Sequence, residues 1–221
     1  MAWRALMAMA MAALCLNFSR TADAADCAAL PRAHMRLRLT TSDSPLVDSG
    51  TAIQTIVSET WRPYGLTFDW AVDPISAAPS RVDAWIAAVR GGPVAFDGGD
   101  LGRVLFDHDV PRPMILISIN AVIAWVQRQQ AARFQTDTQF PQPTLGETAS
   151  LSVRALGHVA AHELGHFVLG RRSHADSGLM SGIWRWDPQR AVRLLRSEAL
   201  LVDAGSAARL NARLKESASC P

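Results

Sequence analysis

A helix that must hold out metal-binding side chains on one face while burying the rest constrains a fold more tightly than composition does. Residues 156–170 spell such a helix. His162 and His166 stand one helical turn apart, so both imidazoles leave the same face and can meet one ion. Glu163 projects just beside that face, where a carboxylate can take a proton from a zinc-acidified water and return it to a leaving amine. Leu156, Val159, Ala160, Leu164, Phe167 and Val168 give the apolar spacing of a buried helix. Gly170 permits the left-handed turn that stops it. His174 follows as a third candidate ligand; three protein ligands leave a catalytic zinc open to water, whereas a structural zinc usually takes four.

The stretch from His162 to His174, with Met180 after it, resembles the metzincin clan of zinc peptidases, whose pattern is H-E-x-x-H-x-x-G-x-x-H followed by a methionine turn. Gly170 stands one residue later and His174 two residues later than in that pattern. The run from His162 to Trp184 is also similar to small exported bacterial proteins regarded as metallopeptidases, which share an Ala-His-Glu-x-Gly-His-x-Leu-Leu-Gly start and a His-x-x-x-Gly-Leu-Met ending.

The resemblance implies an α+β fold: a single metzincin-like domain with a small twisted mixed sheet packed on two long helices, one of them carrying the H-E-x-x-H motif. It implies one catalytic Zn2+ held by His162, His166 and His174, with Glu163 as general base and then acid. It puts Met180 in a tight turn beneath the imidazoles, and lets Ile183, Trp184 and Trp186 wall the pocket for the residue after the cut bond. It assigns one sheet strand, Met114–Ile119 or Val104–Phe106, to the rim of the cleft, where an extended substrate would pair with it. Some clan members steady the oxyanion with a Tyr two residues after the Met; Gly182 stands there, and the only tyrosine is Tyr64. The zinc itself, backbone N–H groups or an arginine must then serve. Relatives that use a carboxylate as third ligand make Asp176 and Glu198 the competing candidates for His174.

The activity expected is hydrolysis of peptide bonds in a peptide or protein substrate. Two other readings compete with it: a zinc-binding module without turnover, and a zinc hydrolase acting on other bonds. Glu163, which a structural site does not need, favours chemistry.

The 221 residues are enough for one domain with a real core, and a hydrophobic content of 49% against 19% charged excludes a disordered chain. The net charge of +2 forms no basic stripe, so no nucleic-acid partner is expected. The densest basic cluster, His34 to Arg38, reads as solvated alternation on a strand. Residues 1–24 read as a signal peptide: Arg4, then the apolar run Ala5–Leu16, then Ala22-Asp23-Ala24 as the cleavage site. The mature catalytic domain, 25–221, would be periplasmic or extracellular, a monomer, and without stable membrane association. Cys27 and Cys220 would form a disulfide in that oxidising compartment. The other reading makes Cys27 a thiolate cap on the zinc.

Along the chain, Met35–Thr40 and Leu66–Trp70 alternate like strands, and Ala52–Trp61 has helical spacing ended by Pro63 and Gly65. Arg81–Arg90 fits a helix by its spacing and a strand by its length, and the clan resemblance favours the strand. Gly91–Gly102 reads as a flexible loop at the cleft rim. Ala121–Phe134 is a predicted helix, Gln135–Gly146 a surface loop, and Ser150 or Ser152 the cap of the metal-binding helix. His158 lines up with His162 and His166 but lies too far along the axis to share their ion, and is read as a packed histidine. His34 and His108 are read as ordinary surface or strand residues. Asp187-Pro188 starts a helix, and Asp203 caps a last one over Ala207–Leu214.

Overall fold

The alternation of Met35, Leu37 and Leu39 with charged neighbours produces a strand, β1 (Ala33–Thr41), whose Leu37 is fully buried. The computed structural model describes residues 33–41, 49–71, 83–90, 100–136, 143–182 and 201–218, all in one compact unit from Arg32 to Pro221. Arg38 departs from the solvated alternation expected of it: it is 7% exposed. Helix α1 (Gly50–Trp61) buries Ile53, Val57 and Trp61 and passes through a 3-10 turn (Arg62–Tyr64) into Gly65, whose φ of 84° suits only a residue without a side chain.

Strand β2 (Leu66–Ala71) follows, then β3 (Ala84–Val89), β4 (Gly102–Asp107) and β5 (Val110–Ser118). The ambiguous segment 81–90 is therefore a strand over its described part. The sheet has the order β2-β1-β3-β5-β4, with β2, β1, β3 and β5 parallel and β4 antiparallel to β5. Met114–Ile119 thus falls mostly in an internal strand, and Val104–Phe106 lies on an edge.

Among the described residues three helices follow the sheet: α2 (Ile119–Thr136), α3 (Leu145–Leu169) and, after 201–203, α4 (Ala204–Ala218). Helix α3 packs against β4, β5, α1 and α2, so it is the centre of the core rather than a cover over it. The Trp61 indole N–H donates to the Ala161 carbonyl at 3.0 Å, which fixes α1 against the part of α3 that carries the histidines.

Two expectations about α3 are corrected. Its cap is Thr144, not Ser150 or Ser152: Thr144 accepts from the Glu147 N–H while Glu147 accepts from the Thr144 N–H, a reciprocal capping box. The expected loop Gln135–Gly146 is consequently shorter, since α2 runs to Thr136 and α3 starts at Leu145. Asp203 does cap α4, accepting from the Ser206 N–H at 2.9 Å. No helix among the described residues is long and apolar enough to cross a membrane. The expected signal peptide, Cys27, Cys220, Glu198, Ile183, Trp184, Trp186 and Asp187-Pro188 lie outside the described residues.

Candidate metal centre

Helix α3 is buried nearly all round in the two turns that carry His162, Glu163 and His166, so these polar groups point into a cavity of about 860 Å3 rather than into bulk water. The helix stops where expected, at Gly170 with φ 61°. The chain then returns past the helix end and brings His174 to the same place. Ligand nitrogens of His162, His166 and His174 all lie within 4.8 Å of one another. His158 is not in this cluster and is packed, 2% exposed; Asp176 is exposed and also outside it.

The orientation of the rings is set by backbone carbonyls. The Leu179 carbonyl lies 2.7 Å from His162 Nδ1, and the Arg171 carbonyl 2.8 Å from His166 Nδ1. A carbonyl can only accept, so each Nδ1 must carry the proton, and in the neutral ring each Nε2 then presents a lone pair. Burial, followed by the neighbouring His166 charge, pushes His162 down from 6.5 to about 3. Burial likewise pushes His166 down to about 4 and lowers His174. Yet the two Nε2 atoms face each other at 3.1 Å. Two lone pairs at that distance repel unless a cation lies between them, and the spacing is close to the roughly 3.3 Å edge of a tetrahedron with zinc–nitrogen arms of about 2.0–2.1 Å. This donor set fits a metal ion on its own geometry.

Met180 packs against the helix that carries the histidines. It is fully buried, and its sulfur would lie 2.2 Å from a side-chain carbon added at Gly165, the residue just before His166. The segment is a tight turn: Gly178 has φ 72°, and the Ala175 N–H donates to the Met180 carbonyl at 2.7 Å. The turn expected around Met180 is present, and it supplies the Leu179 carbonyl that orients His162.

Glu163 faces the edge strand. A side-chain carbon at Gly102 would come within 2.8 Å of Glu163 Cγ and 3.2 Å of its Oε1, so only glycine leaves room for the carboxyl group there. Burial, then the Asp100 charge, raises the Glu163 carboxyl from 4.5 to about 8, while the backbone N–H of Val104 and the Arg103 charge pull the other way. Without an ion on the histidines the carboxyl is therefore mostly protonated at neutral pH, and a divalent cation beside it would favour the carboxylate. Tyr64 takes no part in the cavity: its hydroxyl accepts from the Val202 N–H at 2.9 Å. His34 is an exposed strand residue paired with Asp69, and His108 sits at the β4–β5 turn with φ 55°.

Four contributors leave little or no mark on the sequence: the Leu179 and Arg171 carbonyls, Gly102, and Arg172, which lines the cavity. Only Gly102 left a trace, as the last glycine of a glycine-rich run before a strand. Comparison of the whole chain with protein-family models and with curated proteins finds no match.

Proposed function

We propose that this chain is a zinc-dependent metallopeptidase of metzincin type, exported through the signal read in residues 1–24. The observation that carries the reading is the pair of facing Nε2 lone pairs at 3.1 Å, completed by His174 and flanked by the buried Glu163 carboxyl group in the same cavity. His162, His166 and His174 would hold the ion. A zinc bound there supplies Lewis acidity to a water and to the scissile carbonyl.

The rest is the work of this chain's own groups. Glu163 takes a proton from the attacking water and delivers it to the leaving nitrogen. The Leu179 and Arg171 carbonyls keep the two rings in the tautomer that leaves Nε2 free. Substrate binding falls to β4. The Ser118 N–H donates to the Leu101 carbonyl, so in the antiparallel ladder Leu101 and Arg103 face β5 while Gly102 and Val104 turn their backbone groups to the outer edge, where the Val104 N–H meets the Glu163 carboxyl. An extended peptide can pair with the remaining edge groups and lie across the histidines.

Purified mature chain should cleave a mixed peptide library, lose the activity to a chelator and regain it with zinc. Glu163→Gln should keep the metal and lose at least a hundredfold in kcat, the contribution of a general base being roughly 10²–10⁴. A Glu163→Gln chain that cleaves at the wild-type rate refutes the proposal.

A further inference from the structure

Arg172 is exposed, lies just past the end of α3, and lines the same cavity as Glu163 and the three histidines. Its guanidinium carbon sits 4.7 Å from the centroid of the Phe106 ring, and one of its N–H groups donates to the His108 carbonyl. Phe106 belongs to the edge strand and His108 to the turn beyond it, so one wall of the cleft holds the guanidinium by a ring face and a carbonyl. Neither contact neutralises the charge, and among the described residues no carboxylate meets it. Its neighbours differ: Arg103 has Asp100 at 3.4 Å, and Arg171, which donates to Ser206 at 2.6 Å, also acts on the Asp203 carboxylate and favours its charged form. A guanidinium stacked on a ring keeps its remaining donors in a planar fork, the arrangement that matches a carboxylate.

We propose that Arg172, seated on Phe106, is a substrate anchor: the cleft selects peptides that bring a carboxylate to this point, as an acidic side chain or as the chain's own C-terminus. The proposal rests on the peptidase reading and narrows it to a substrate class. Asp100, which also lines the cavity, is paired with Arg103 at 3.4 Å.

The test uses matched peptides that differ only in Glu against Gln at each position around the cleavage site, each made with a free and an amidated C-terminus. Two quantities are measured: kcat/KM with the zinc-loaded wild type, and affinity for the Glu163→Gln chain, which needs no turnover. The carboxylate form should be favoured about tenfold in both, the loss of one charge-assisted hydrogen bond being worth roughly that factor. Arg172→Gln, alone for turnover and combined with Glu163→Gln for affinity, should shrink the ratio to about twofold or less, and Arg172→Lys should keep part of it. A preference that follows the side chain identifies an acidic subsite; one that follows the free terminus identifies a carboxypeptidase-like site. If affinity shows the preference and no peptide is cut, the anchor stands and the peptidase reading falls. If peptides are cut without the preference, or the preference survives in Arg172→Gln, the anchor is overturned and the peptidase reading stands.

Discussion

His158 makes the metal-free fold lose stability as the pH falls, and replacing it with Leu should reduce that loss. The ring is 2% exposed in the core of α3, and neither of its nitrogens has a hydrogen-bond partner among the described residues. Burial, then the Arg154 charge, lowers its pKa from 6.5 to about 4. The unfolded chain therefore takes up a proton near pH 6.5 that the folded chain refuses until near pH 4. Between those values the unfolded state binds more protons, so the His158 contribution is complete above about 6.5 and falls as the pH drops through this window; Glu163, raised to about 8, contributes with the opposite sign but is present in both chains. At about 1.4 kcal/mol for each pH unit that the window spans, the loss approaches an order of 3 kcal/mol, a large part of a domain's total. His162 and His166 add losses of the same sign at similar or lower pH, but they are present in both chains and cancel in the difference. The measurement is urea unfolding with chelator, followed by tryptophan fluorescence, at about pH 7.5 and about pH 4.5. At the higher pH the variant should lie within about 1.5 kcal/mol of wild type, since no hydrogen bond is removed and the volume is nearly kept. At the lower pH it should be more stable than wild type by roughly 2–3 kcal/mol relative to that baseline. Parallel losses in the two chains would refute the argument.

Two further substitutions separate stability from chemistry. Tyr64→Phe removes the hydroxyl that bonds both the N–H and the carbonyl of Val202 and so ties the chain before α4 to the end of α1. It should cost about 1–2 kcal/mol in urea unfolding, and an unchanged midpoint would show that the tie contributes nothing. Gly102→Ala places a carbon against Glu163 Cγ and Val159 Cγ1, at 2.8 and 2.9 Å, and must displace the carboxyl group. Peptide hydrolysis should fall about tenfold or more in kcat with metal content unchanged, whereas full activity would mean that Glu163 needs no such fit.

The sequence carries α3 well because the signals are local. His162 and His166 share a face by spacing alone, and Gly170 ends the helix by a property of its own backbone. The start of the same helix misleads: Leu145–Ser150 is largely exposed and polar and lacks the apolar stripe, so the capping box of Thr144 and Glu147 passes for loop. Strand β3 misleads for the opposite reason. Parallel pairing on both sides leaves Ala84, Ile86 and Ala88 buried and Trp85, Ala87 and Val89 half-buried, an apolar run without clear alternation. The edge position of β4 depends on strand order, which no local pattern encodes. The atoms that orient His162 and His166 are main-chain carbonyls of Leu179 and Arg171, which any residue there would supply.

Metal content per chain, measured by elemental analysis on wild type and His174→Ala after loading with zinc and exhaustive dialysis, tests most directly whether three imidazoles share an ion. Wild type should retain one zinc per chain and His174→Ala should retain almost none, because the two remaining histidines leave too few protein ligands to hold it. Full occupancy in His174→Ala, or a wild type that holds no zinc, would contradict the account.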